Sequence, residues 1–161
     1  MKRSEEPAKN YQTFEDLEVY QVAREFRKAM YRIAKQLPEC EKFGLTSQIR
    51  RAAVSLTNNI AEGHGRYHFL DQIKFMLQAR GSLEEILDDL NVWEDERYLP
   101  CSDLETLKQE GLRAHKLING YIRFLRNRTN DKSSRAHESA DDELDSDKII
   151  DRIRPFNPSS L

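Results

Sequence analysis

The sequence predicts an all-α protein, an antiparallel up-down-up-down four-helix bundle followed by a disordered C-terminal tail, and three observations lead there. Four segments carry apolar residues at three- and four-residue steps, the spacing of a helix with one buried face. Between them lie short connections holding the residues that end helices: Pro38, Gly44, Gly63, Gly65 and Pro100. No segment alternates apolar and polar residues as a half-buried strand would. Short connections set successive helices side by side and antiparallel.

In chain order, residues 1–12 are polar and read as a flexible amino terminus. The first helix is expected over 14–37, opened by a capping box of Thr13 and Asp16 and closed before Pro38. Glu15, Asp16 and Glu18 suit its positive end. Its core face collects Val19, Val22, Ala23, Phe26, Met30, Ile33, Ala34 and Leu37. The second helix, over 46–62, carries Leu45, Ile49, Ala52, Ala53, Leu56 and Ile60, with Thr46 or Ser47 as its cap. Gly63 and Gly65 around His64 are expected to close it in the left-handed conformation and turn the chain back. A third and longest helix spans 68–97, where Phe69, Ile73, Met76, Leu83, Ile86, Leu87, Leu90 and Trp93 make an apolar arc broad enough for two neighbours. Ser102 and Glu105 form a capping box for the fourth, over 103–127, with Leu104, Leu107, Ala114, Ile118, Tyr121 and Leu125 inward.

The bundle domain is thus 13–128, and residues 129–161 form a polar tail too poor in apolar side chains to offset the entropy of ordering. One segment of it differs: over 147–154, Ile149, Ile150 and Ile153 share a helical face, Ser146 or Asp147 can cap it, and Phe156 follows Pro155. A helix that short orders only against another surface, so these four apolar residues are the expected docking contacts with a partner or a neighbouring subunit.

Composition narrows the classes of function. With 161 residues, 38% hydrophobic, 34% charged and net charge −2, the chain reads as one soluble, cytoplasmic domain. No run is apolar enough for a membrane, and Met1–Asn10 is charged where a signal peptide needs an apolar core. Cys40 and Cys101 are too few for a disulfide framework or a zinc motif. His64, His68, Glu62 and Asp71 imitate a metal cluster, but the glycines among them break the helix that an i, i+4 histidine pair requires. A glycine-rich phosphate loop and a Glu-x-x-His pair are both missing. No catalytic residue, metal or cofactor is predicted.

Four blocks of sequence carry a family resemblance: Phe14–Leu17, Gln48–Ala53, Asn59–Gly63 with Arg66, and Gly81–Glu85. In this order they resemble the bacterial four-helix-bundle proteins found in 23S ribosomal RNA intervening sequences, to which the accessory variability determinant of diversity-generating retroelements is similar. The resemblance covers about Tyr11 to Arg128. It implies a bundle that assembles into a ring, typically a pentamer, and no catalysis. For the retroelement members it implies binding to nucleic acid and to a reverse transcriptase.

Residues 11–128 hold 18 basic and 18 acidic side chains, so any anion site depends on where the charges lie. On the first helix Tyr20, Arg24, Arg27, Lys28, Tyr31 and Lys35 fall within roughly 100° of arc away from the core face, with no acid between them. Arg24, Arg27, Lys28 and Lys35 can contact phosphates while the tyrosines offer ring faces to bases, and Arg50, Arg51 and Arg66 are the next candidates. A solvated face, or a docking surface for a neighbouring subunit, is the other reading. On the third helix Glu84, Glu85, Asp88 and Asp89 form an acidic strip suited to the oligomer interface, since a cyclic assembly apposes two different surfaces. Within it Gly81 invites a close backbone approach or is a plain surface glycine, and Arg80 is expected beside a carboxylate or reaching outward. The expected function is a non-catalytic, oligomeric accessory protein that binds RNA or DNA, a nucleic-acid enzyme such as a reverse transcriptase, or both. The alternative is a protein-interaction scaffold without nucleic acid.

Overall fold

The structure, a computed structural model, describes residues 13–152, with side chains placed through residue 130. Four helices make it up: α1 (Glu18–Ile33), α2 (Leu45–His64), α3 (Phe69–Asp95) and α4 (Cys101–Arg152). Single 3-10 turns at Phe14–Asp16 and Glu39–Glu41 precede α1 and α2, and no strand occurs among the described residues. Each helix lies against two others, α1 on α2 and α4, α3 on α2 and α4. Side-chain pairs set the directions. Gln48 meets Asp89 and Ser55 meets Ser82, while Gly63 sits on Phe75, so residue numbers rise along α2 as they fall along α3. Glu84 with His115 and Arg80 with Asn119 run α4 antiparallel to α3 in the same way.

Apolar spacing locates the core well. Every residue of the α2 stripe is buried, and Phe26, Met30, Met76, Leu83, Ile86, Leu90, Trp93, Leu104 and Ile118 are fully enclosed. Tyr20, expected on the outer strip of α1, is instead buried, edge-on against Phe14 with ring centroids 4.8 Å apart. Its ring closes the bundle end over the turn that precedes α1.

Helix ends depart from the sequence reading for local reasons. Thr13 N–H does donate to the Asp16 carboxylate at 2.8 Å, but this box encloses one 3-10 turn. Leu17 is then extended (φ −72°, ψ 124°), and α1 begins afresh at Glu18 and ends at Ile33, short of Pro38. Neither Thr46 nor Ser47 caps α2. Glu41 does so from outside, one carboxylate oxygen accepting Leu45 N–H at 3.1 Å and the other accepting the Tyr98 hydroxyl at 2.9 Å. That bond pushes the Tyr98 phenol up to about 12. One side chain thereby ties the α1–α2 connection to the α3–α4 connection. At α4 the Pro100 carbonyl accepts the Asp103 and Leu104 N–H groups, and Ser102 lies inside the helix instead of capping it.

Gly63 and Gly65 do not close α2 in the left-handed conformation: no described glycine has a positive φ, and α2 runs through Gly63 to His64. Gly63 is there for space. A Cβ on it would stand 2.9 Å from the Phe75 Cβ and 3.3 Å from the Met76 Cε, so α2 and α3 touch almost backbone to backbone. The left-handed residue is Arg97 (φ 56°), where Tyr98 N–H reaches back to the Trp93 carbonyl and ends α3 at a cost of about 1–2 kcal/mol in backbone strain. A Cβ on Gly81 would meet no side chain or neighbouring helix within 4 Å, and Gly81 is an exposed surface glycine.

α4 continues to Arg152, past the boundary at 127 and the disordered tail that composition predicts. No glycine or proline stands between Tyr121 and Arg154, so the backbone meets no helix breaker there. Lack of apolar residues to bury is the sequence argument against a helix there. Ile149 and Ile150 fall on backbone whose side chains lie outside the described set, and Ile153 and Phe156 lie outside the described residues altogether, as do residues 1–12.

A polar seam runs between α2 and α3. The Ser55 and Ser82 hydroxyls meet at 2.8 Å, and Gln48 Nε2 donates to Asp89 Oδ1 at 2.9 Å. Asp89 is therefore no part of a surface strip: it is 3% exposed, and its second carboxylate oxygen is buried without a hydrogen-bond partner. Burial, reinforced by Glu85 and Asp88, pushes its carboxyl up from 3.8 to about 6. The folded chain therefore holds this proton to higher pH than the unfolded chain does. Its contribution to stability is full below about pH 4 and lost as pH rises through about 6. Asp89→Asn is expected to raise stability at neutral pH by roughly 1–3 kcal/mol and to flatten that fall, which urea titrations at several pH values check. Gly63→Ala should destabilise by about 1–3 kcal/mol through the Phe75 clash. Gly81→Ala should stabilise by about 1 kcal/mol through helix propensity, and the opposite signs will appear in the unfolding midpoints.

Candidate nucleic-acid interface

α1 and α2 leave an open trough along their outer junction. Arg27, Lys28, Tyr31, Arg32, Lys35 and Val54 line one half, and Tyr31, Ser47, Arg50, Arg51, Val54, Ser55, Asn58 and Asn59 the other. The halves meet at Tyr31 and Val54. Helical periodicity explains the α2 wall: Ser47, Arg51, Val54 and Asn58 recur at three- and four-residue steps opposite the core stripe.

Six cations line this trough and no carboxylate does. Arg27 is held by a 2.7 Å hydrogen bond to the Thr57 hydroxyl across the helix pair. The Arg50 guanidinium lies 5.7 Å from the Tyr31 ring centroid, and its Nε is buried without a hydrogen-bond partner. Lys28 stands at the rim and pairs with Glu25 at 2.7 Å, and that bond holds the Glu25 carboxyl below its usual range. An acid does therefore neighbour the strip on α1, reached by a three-residue helical step. Such an exposed pair contributes little and opens readily to a competing anion.

Of the expected basic residues the fold brings together Arg27, Lys28, Lys35, Arg50 and Arg51. Arg24 is exposed on α1 outside the trough lining. Arg66 belongs to the far end of α2, paired with Glu62 and stacked 4.7 Å from the Phe75 ring centroid. Arg32, Asn58 and Asn59 escape the sequence reading. Arg32 sits one helical turn beyond Lys28, a spacing that would have found it.

The α3 surface that faces away from the core is a second feature. Leu70 (61% exposed), Leu77 and Val92 (41%) are uncovered, and Gly81, Glu84 and Asp88 fall on the same stripe at helical spacing. Glu84 Oε1 also lies 2.9 Å from His115 Nε2 of α4, while Asn119 meets the other ring nitrogen at 3.2 Å and itself accepts from Arg80 at 3.0 Å. Arg80 is thus half-buried beside an amide, with no carboxylate. Cys40 and Cys101 are exposed free thiols, and among the described residues no group of three or more His, Cys, Asp or Glu is placed to hold a metal. No helix among the described residues is long and apolar enough to cross a membrane.

Residues 15–120 match the family model described as 23S rRNA-intervening sequence protein. The fold is similar to a solved structure of a protein of unknown function from the S23 ribosomal protein family of Bacteroides thetaiotaomicron, with a TM-score of 0.61 and 23% sequence identity over 65% of this chain and 97% of that one. No curated protein matches the sequence.

Proposed function

The chain belongs to the 23S rRNA-intervening sequence protein family, and on that footing we propose that it is a non-catalytic, self-assembling bundle whose α1–α2 trough binds the phosphate backbone of nucleic acid. The observation that carries this reading is the trough itself: six cations without a carboxylate, on a chain whose net charge is −2. Such segregation maintains a local positive potential against overall neutrality. Arg27 and Arg50, anchored by Thr57 and Tyr31, lose less freedom on meeting a phosphate than loose side chains would. The family's name, with its reference to 23S rRNA, makes RNA the first nucleic acid to test.

Self-association is supported by the α3 stripe. Exposed Leu70, Leu77 and Val92 give it apolar area, open Gly81 lets another surface approach closely, and Glu84, Glu85 and Asp88 supply a charge complementary to a basic face on the next copy. Two unlike surfaces in contact generate a closed ring when the rotation permits. The same stripe favours the second reading, a scaffold that binds protein alone.

Binding to structured RNA and to duplex DNA, titrated against salt, tests the trough. Replacing Lys28, Arg32, Lys35 and Arg51 by alanine is expected to lower affinity and to reduce the log–log salt slope by about 1 for each phosphate no longer neutralised. A variant that keeps its fold and binds unchanged would refute the reading. Light scattering at micromolar concentration should give a mass of several subunits, reduced by Leu77→Lys; a monomeric mass for the unaltered protein overturns the assembly.

A further inference from the structure

We propose that the trough takes nucleic acid as a single strand, with one unpaired base stacked on the exposed ring of Tyr31; this deepens the nucleic-acid reading above and rests on it. Tyr31 is the one aromatic residue among those lining the trough and belongs to both halves. It is 38% exposed, although the neighbouring residues Ala29, Met30, Ile33 and Ala34 are buried. Arg50, 5.7 Å from the ring centroid, braces the ring and carries the charge that a phosphate beside the stacked base requires.

Geometry separates single strands from duplexes. The trough lies between two packed helices whose axes stand about 8–10 Å apart, so it admits one sugar–phosphate strand more readily than the wider cylinder of a duplex. A duplex also keeps its bases stacked inside, where a ring on a helix surface cannot reach them without extruding a nucleotide. A single strand turns its bases outward, and the sequence-tolerant partner for a base is an aromatic face among cations. On the α2 wall Asn58 is exposed and carries an amide able to meet a base edge or a ribose hydroxyl, whereas the Asn59 amide is already engaged, donating to the Ser55 carbonyl at 2.9 Å and to its hydroxyl at 3.2 Å.

The test compares a short oligo(U), a short oligo(dT) and an RNA hairpin duplex closed by a non-nucleotide linker by fluorescence anisotropy, using the full chain and its Tyr31→Phe, Tyr31→Leu and Arg50→Gln/Arg51→Gln variants, with helical content followed by circular dichroism. The unaltered protein is expected to bind the single strands more tightly than the hairpin. Tyr31→Leu should weaken single-strand binding by about 5- to 150-fold, the range that removal of a base stack gives, without changing the salt slope. Tyr31→Phe should retain it. The paired arginine variant should lower both affinity and slope. Tighter oligo(U) than oligo(dT) would assign the ribose hydroxyl a part, and equal affinities would leave stacking as the shared chemistry; both outcomes support the proposal. Equal single-strand and hairpin affinity, or unchanged single-strand binding by Tyr31→Leu while the arginine variant weakens it, overturns the single-strand inference and leaves the trough reading standing. Failure of the arginine variant to change binding removes the trough reading itself.

Discussion

The closeness of α2 to α3 is the constraint from which the rest of the structure follows. At Gly63 the two backbones come so near that a single Cβ would collide with the Phe75 Cβ, and further up the pair Ser55 meets Ser82 and Gln48 meets Asp89. These meetings, spaced along the length of α2, fix both the register and the rotation of the helix about its axis. Once that rotation is set, the helix has no freedom left: one arc goes to the core, one to α3, and the remaining arc, with Arg50, Arg51, Val54 and Asn58, must turn outward beside α1. The basic trough is therefore a by-product of packing on the opposite side of the same helix. Any change that rolled α2 by one residue step, about 100°, would scatter its cations.

The arrangement also explains what the sequence discloses and what it hides. Helical periodicity exposes the core almost completely, because burial of a stripe such as Ile49, Ala53, Leu56 and Ile60 depends only on which face a residue occupies. The same reasoning applied to charge is less secure. Asp89 follows Glu84, Glu85 and Asp88 and looks like one more surface acid, yet it lies seven residues after Ser82 and four before Trp93, both buried. Position on the wheel outweighs chemical type. Tyr20 misleads in the opposite sense, since a ring with a polar tip suits either side and only Phe14 beside it decides the matter.

Joining α1 to α2 is beyond a one-helix reading. The cations of α1 are visible as a strip, and Arg50 and Arg51 as a pair, but nothing in either pattern tells which face of one helix borders which face of the other. That relation needs the Arg27–Thr57 bond and the Arg50–Tyr31 contact, both of which join residues far apart in sequence. The glycine turn misleads for a related reason. A glycine announces unusual backbone or unusual proximity, and sequence alone does not distinguish the φ of Gly63 from its nearness to Phe75.

The α2–α3 seam has a consequence for how the chain reaches this state. Its contacts join helices that are consecutive in sequence across the short Gly65–His68 connection, so the loops they close are small, whereas Phe26 and Gly111 meet only after most of the chain has been gathered. Loop-closure entropy favours the α2–α3 hairpin as the first tertiary unit, with α1 and α4 added to its two flanks. A folding route that starts in the middle of the chain leaves both ends unconstrained until late. The long α4 extension can then be lengthened or shortened without touching the step on which folding depends.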